Sequence, residues 1–145
     1  MADIDKLEAI AELTAAKARY CRFLDTKDWQ GFGNLMTEDF EMDLSGTSDL
    51  GIIKGKEEAL KQIRSSIETA FTAHQVHNPE IDIQGDEARV IWAMNDRIVW
   101  SSDRPSIVGY GHYHERWVRQ GDEWKLAAQR LTRLHIDMLP PTNKV

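Results

Sequence analysis

A few acids and imidazoles in this sequence stand where packing alone would put apolar groups, and together they could move protons. Asp25 lies one helical turn past Cys21 on the row Ala11, Thr14, Ala18, Cys21. It either carries a carboxylate into an apolar interior, where the charge needs a partner, or sits on a frayed, solvated helix end in Asp25-Thr26-Lys27-Asp28. The segment Ala73-His74-Gln75-Val76-His77-Asn78-Pro79 opens a strand with two histidines, and imidazole exchanges a proton readily near neutral pH. Three apart, they point to opposite faces of a regular strand, but Pro79 invites a bulge, so parity does not choose between them. Asp96 shares the even-numbered face of its strand with Val90, Trp92, Met94 and Ile98. A charge on such a dry face is costly unless paired, and Arg116 or Arg130 on other strands could supply an ion pair. Tyr20 adds a phenolic donor at a position that core packing would also explain. Such a set suits general acid and base catalysis.

Other machinery is missing. There is no glycine-rich phosphate loop, GxSxG elbow, CxxC pair or dinucleotide fingerprint, so nucleotide use, serine hydrolysis and thiol redox chemistry have no visible basis. His112 and His114 share a strand face and could join His74 or His77 around an ion, giving metal-assisted hydrolysis. No ligand-dense motif supports this, so the two read as an outward polar face and no metal or other cofactor is called for. The charge, 18 Lys and Arg against 24 Asp and Glu for a net −6, forms no basic stripe, which argues against nucleic acid and anionic membrane as partners. The single cysteine, Cys21, cannot form an internal disulfide, and with neither a secretion signal nor a membrane span legible the reading is a reducing cytoplasm.

The elements that must position these groups follow from periodicity. At 145 residues the chain is sized for one domain, 1–145, with no linker or repeat. Apolar spacing predicts a long helix from Ile4 to about Thr26 and a short one through Trp29, Phe32, Leu35 and Met36, stopped by Thr37-Glu38-Asp39. A half-wet strand follows over Phe40 to Leu44, then a short Ile52-Ile53 piece, then a third helix with Ala59, Leu60, Ile63, Ile67 and Phe71 inward. After that the period is two: Gln75 to Gln84, Ala88 to Trp100, Ile107 to Arg119 and Glu123 to Asp137, separated by tight turns. The order α-α-β-α-β-β-β-β predicts an α+β fold with three helices on one face of a curved, mainly antiparallel sheet. A cone of this kind leaves its wide end for a small hydrophobic molecule, aromatic or polycyclic. Trp29, Trp92, Met94 and Tyr113 are candidates for its lining.

Three stretches, ARYCRFLDTKDWQGFGNLMTEDFEMDLSG, HQVHNPEIDIQGDEARVIWAMNDRIVW and GYGHYHERWVRQGDEWKLAAQRLTR, give the chain a resemblance to the SnoaL-like branch of the nuclear transport factor 2-like superfamily. The resemblance implies the cone fold but only a range of activities, from dehydratases, isomerases, cyclases and lyases to non-catalytic proteins. Within that branch the bile-acid dehydratase and the hexachlorocyclohexane dehydrochlorinase are similar at the decisive places: an aspartate ending the first helix, matching Asp25, and a histidine opening the strand after the third helix, matching His74. The bile-acid enzyme also uses a tyrosine and a further aspartate that match Tyr20 and Asp96. The dehydrochlorinase's last-strand arginine falls near Arg130, offset by one residue.

The implied chemistry has His74 as general base, Asp25 fixing its tautomer, and Tyr20 or Asp96 stabilising or protonating the leaving oxygen, Asp96 only if burial keeps it protonated. Dehydration or retro-aldol cleavage fits that set, and isomerisation or cyclisation uses the same dyad. The competing class is a non-catalytic binding or dimerisation module, since the resemblance also implies a homo-oligomer, dimer or trimer.

Overall fold

The computed structural model describes residues 2–143. Helix α1 spans Asp3–Thr26, with Asp3 and Asp5 in its first turn, where the exposed N–H groups favour acids. Its buried face is Ala9, Leu13, Ala16, Lys17, Tyr20, Cys21 and Leu24. Ala11, Thr14 and Ala18 are exposed instead, as are Leu7 and Ile10. The helix ends firmly: Lys27 takes a left-handed conformation with φ 62, and the Asp28 N–H returns to the Phe23 carbonyl at 2.9 Å. This closure keeps the last turn, and Asp25 with it, from fraying.

Asp28 then caps α2 (Trp29–Asn34) by accepting from the Gly31 N–H at 2.9 Å. The helix is shorter than the periodicity suggests, because the Leu126 N–H captures the Leu35 carbonyl at 2.7 Å. Strand β1 therefore starts at Met36 and runs to Asp43 through Thr37-Glu38-Asp39. After β2 (Ile52–Lys54), α3 covers Lys56–Ile67. Phe71, expected inward on that helix, already belongs to β3 (Phe71–Gln84) and is exposed. Strands β4 (Glu87–Val99), β5 (Ser106–Gln120) and β6 (Glu123–Leu139) complete the meander. Gly85 and Gly121, with φ of 61 and 63, open two-residue hairpin turns that need positive φ there.

The six strands form one curved sheet ordered β2-β1-β6-β5-β4-β3, antiparallel except where β1 runs parallel to β6. The helices pack on its concave face, α1 against β3 and β6 and α3 against β1. Among the described residues no helix is long and apolar enough to cross a membrane.

Bulges decide which residues face inward. In β3 the register slips between His77 and Glu80, so His74 and Val76 pair with the inward Asp96 and Met94 before the slip, and Ile81 and Ile83 with Val90 and Ala88 after it. In β6, Trp117 faces Leu126 while Arg116 faces Ala128, and Tyr110 faces His135 while Gly111 faces Arg133. Ala127 and Leu134 are thus the extra residues, and each reverses the alternation that follows it.

Candidate active site

Asp25 stands at the carbonyl end of α1, where an acid opposes the helix dipole. Strand β3 supplies what holds it. The Thr72 hydroxyl donates to Asp25 Oδ1 at 2.9 Å, the His74 backbone N–H donates to Oδ2 at 2.9 Å, and His74 Nδ1 lies 2.7 Å from Oδ1. Lys27 Nζ donates to the Thr72 hydroxyl at 2.8 Å. Burial works against the Asp25 charge, but the imidazole, the backbone N–H and the hydroxyl outweigh it and hold the carboxyl below the usual range. A carboxylate at Nδ1 calls for a proton there, which orients the ring and turns Nε2 away from Asp25.

The cavity beside His74 has a volume of about 260 Å³. Tyr20 and Leu24 line it from α1, Met42 and Leu44 from β1 and the loop after it, Ile63 and Ile67 from α3, and Asp96, Tyr113, Gln129, Leu131 and Arg133 from the sheet. Asp25 braces His74 from behind, and His74, Asp96 and Tyr20 converge on the space.

Asp96 is not isolated. Arg133 grips it with two parallel bonds, Nη1 to Oδ1 at 2.6 Å and Nη2 to Oδ2 at 2.9 Å. Burial opposes the Arg133 charge, yet the Asp96 hydrogen bonds and charge raise its pKa overall. The expected partners Arg116 and Arg130 are not the ones used. Arg130 is exposed, bordering an outer-face depression with Asp43, His114 and Arg116, because the Ala127 bulge turns Gln129, Leu131 and Arg133 inward in its place.

Tyr20 is fully buried beside the cavity, and burial together with the nearby Glu115 carboxylate raises its pKa. Its hydroxyl donates to Gln129 Oε1 at 3.2 Å and accepts from Gln129 Nε2 at 3.0 Å. Behind them Glu115 accepts four bonds. Trp92 and Trp117 Nε1 reach Oε1 at 2.8 and 3.0 Å, while Lys17 Nζ and Gln129 Nε2 reach Oε2 at 2.6 and 2.7 Å. Because Glu115 takes one amide N–H, it fixes which way Gln129 points.

The other candidate lining residues divide. Tyr113 lines the cavity, whereas Trp92 and Met94 are core residues behind it. Trp29 packs edge-on against Phe32 under the Arg64 guanidinium, away from the cavity. His77, His112 and His114 belong to the outer face, His77 and His112 bordering one depression and His114 bonded to Thr132 at 2.9 Å. His74 therefore cannot share an ion with His112 and His114, and among the described residues no group of three His, Cys, Asp or Glu is arranged to hold a metal. Sequence reasoning missed Lys17, Glu115, Gln129 and Arg133. A lysine on the apolar face of α1 was a legible signal, but inward Gln129 and Arg133 depended on bulges that leave no clear mark.

Comparison with known proteins agrees with this frame. The family model described as SnoaL-like domain matches residues 5–130. Probable cyclase FGR4 of Gibberella zeae is 29% identical over 143 residues, covering 91% of this chain and 95% of that protein. Among solved structures, a type 2 hexachlorocyclohexane dehydrochlorinase (LinA) aligns over 99% of this chain and 97% of its own with a TM-score of 0.84 at 17% identity. The LinA-type3 enzyme from Novosphingobium barchaimii LL02 aligns over 99% of both chains with a TM-score of 0.82 at 18% identity. At these identities the structural likeness is one of fold.

Proposed function

The chain belongs to the SnoaL-like domain family, and from that premise we propose that it is a cofactor-independent lyase in which the Asp25/His74 dyad abstracts a proton and drives elimination from a small hydrophobic substrate. The observation that carries this reading is the 2.7 Å contact of His74 Nδ1 with Asp25 Oδ1. It turns Nδ1 to the carboxylate and the other ring nitrogen to the cavity, the orientation a general base needs, and the carboxylate would stabilise the imidazolium formed during the reaction. Assistance of this kind is typically worth about 10² to 10⁴ in rate, roughly 3 to 5.5 kcal/mol.

The route of the proton follows from the neighbours. His74 Nε2 takes a C–H proton next to an activating carbonyl, the C–H electrons form the new double bond, and the C–O bond to the leaving hydroxyl breaks. Asp96 accepts two N–H bonds from Arg133, which disfavours the donor role, and burial opposes ionising Tyr20. The imidazolium itself then returns the proton to the departing oxygen, which leaves as water, and the Tyr20 O–H, turned from Gln129 Oε1, donates a hydrogen bond to that oxygen without giving up its proton. One imidazole serving both steps favours loss of hydrogen and hydroxyl from the same face. A cavity of about 260 Å³, slightly below the range usual for drug-sized ligands, favours a substrate of one or two rings.

The relative named a probable cyclase supports a second reading, ring closure begun by the same proton abstraction. Turnover of neutral β-hydroxy ketones on one- and two-ring aromatic frames tests the proposal. His74→Ala should lower it by about 10² or more. A variant that keeps turnover, or a protein that binds these compounds without converting any, ends the lyase reading.

A further inference from the structure

The reading of His74 as a base leaves one relationship unexplained: its free nitrogen, Nε2, stands 4.0 Å from Asp96 Oδ2, and both side chains are almost fully buried. With Asp25 on Nδ1, the ring lies between two carboxylates. Two anions flanking one imidazole favour the imidazolium, with Nε2–H aimed at the second carboxylate. A ring held that way cannot take a proton from a substrate.

The geometry points to Arg133 as the positioning residue that prevents this: its guanidinium holds Asp96 by both oxygens, neutralises it, and keeps it out of hydrogen-bond range of His74 Nε2, so that the base stays unprotonated and open to substrate. Three observations carry the inference. The grip is two-point, at 2.6 and 2.9 Å, so neither Asp96 oxygen is free to turn without losing an ion-pair bond. The separation of 4.0 Å to Nε2 exceeds a hydrogen bond but is well within charge range. The pair also has a built seat, since a Cβ on Gly109 would collide with both the Arg133 guanidinium and the Asp96 carboxylate. The bare backbone of β5 makes room for the fork, and the β6 bulge aims Arg133 into it.

The ionisable surroundings of His74 are otherwise accounted for. From α1 come Asp25 and Tyr20, and Lys27 just beyond it, linked to the ring through Thr72 and Asp25. Strand β4 supplies Asp96, β5 Tyr113 and β6 Arg133. The cavity residues of α3 (Gln62, Ile63, Ser66 and Ile67) carry no charge. The two tyrosines are driven toward their neutral forms by burial, so Arg133 is the cation that faces Asp96.

The test reads protonation of the ring directly and needs no substrate. The His74 imidazole is followed by ¹⁵N NMR titration, assigned by its loss in His74→Gln. Arg133→Gln should raise the His74 titration midpoint by about one to three pH units, and Asp96→Asn/Arg133→Gln, which removes the carboxylate as well, should bring it back to near the wild-type value. Arg133→Lys, which keeps the charge but not the fork, should give a smaller rise and serves if the glutamine variant does not fold. A midpoint unmoved in both single variants, or one that stays raised in the double variant, overturns the inference. Because the readout is protonation, it is independent of whether the reaction is an elimination: the lyase reading fails on turnover of His74→Ala, this one on the Arg133 titrations.

Discussion

The Nδ1 of His74 lies 2.7 Å from Oδ1 of Asp25, joining the last turn of the first helix to the strand that follows the third. An asparagine in place of Asp25 keeps the size but offers a neutral amide, which neither fixes the Nδ1–H tautomer as firmly nor stabilises the imidazolium. Asp25→Asn is expected to lower turnover by about 10² to 10⁴ with substrate affinity little changed. Steady-state kinetics would show the loss in kcat rather than KM.

The same carboxylate ties stability to pH. The folded protein holds Asp25 below its ordinary range, so the unfolded chain takes up its proton first as the solution is acidified. The stabilisation is complete above the unfolded value of about 3.9 and is lost as pH falls through the lower native one. Urea midpoints of the wild type and Asp25→Asn measured from pH 6 downward should therefore converge in acid. A constant gap would mean that the charge of Asp25 contributes nothing to folding.

Deeper in the molecule, Lys17 and Glu115 form an ion pair with no solvent exposure on either side chain, 2.6 Å apart. The pair also anchors Gln129 and, through it, the Tyr20 oxygen. Lys17→Met leaves the buried carboxylate without its counter-charge and should destabilise the protein by about 3 to 5 kcal/mol. Adding Glu115→Leu is not expected to restore stability, because the N–H groups of Trp92, Trp117 and Gln129 then lose their acceptor at roughly 1 to 3 kcal/mol each. Chemical denaturation of the single and double variants checks both statements.

Much of the frame was legible because periodicity reports which face of an element is dry. The even-numbered run Val90, Trp92, Met94, Asp96, Ile98 is buried throughout, and from it alone Asp96 stood out as a charge needing a partner. The identity of that partner was hidden. A regular strand continuing inward from Trp124 and Leu126 would turn Arg130 toward the cavity, but one extra residue, Ala127, reverses the count and delivers Gln129, Leu131 and Arg133. Nothing in the local sequence marks that slip, since Ala127 is a small residue among ordinary strand formers, whereas Pro79 did announce the corresponding slip in β3. The exposed row Ala11, Thr14, Ala18 misled for a related reason: small residues suit either face of a helix, and the buried Leu13, Lys17, Tyr20 and Leu24 set its rotation, Lys17 held by Glu115.

That inversion makes the two arginines of β6 separable by experiment. Arg130 borders the outer face beside His114, whose imidazole is held below its usual range first by burial and then by the charges of Arg130 and His112. Arg130→Ala removes one of those charges, so His114 should take up its proton at a higher pH, while burial keeps it below an unperturbed histidine. The His74 titration should stay in place, because Arg130 lies across the sheet from the cavity, and turnover should remain within about twofold of wild type, as for most exposed substitutions. One set of imidazole NMR titrations reads both histidines at once. A shift at His74 with none at His114 would show that Arg130 acts on the inner face and that the β6 register does not hold in solution.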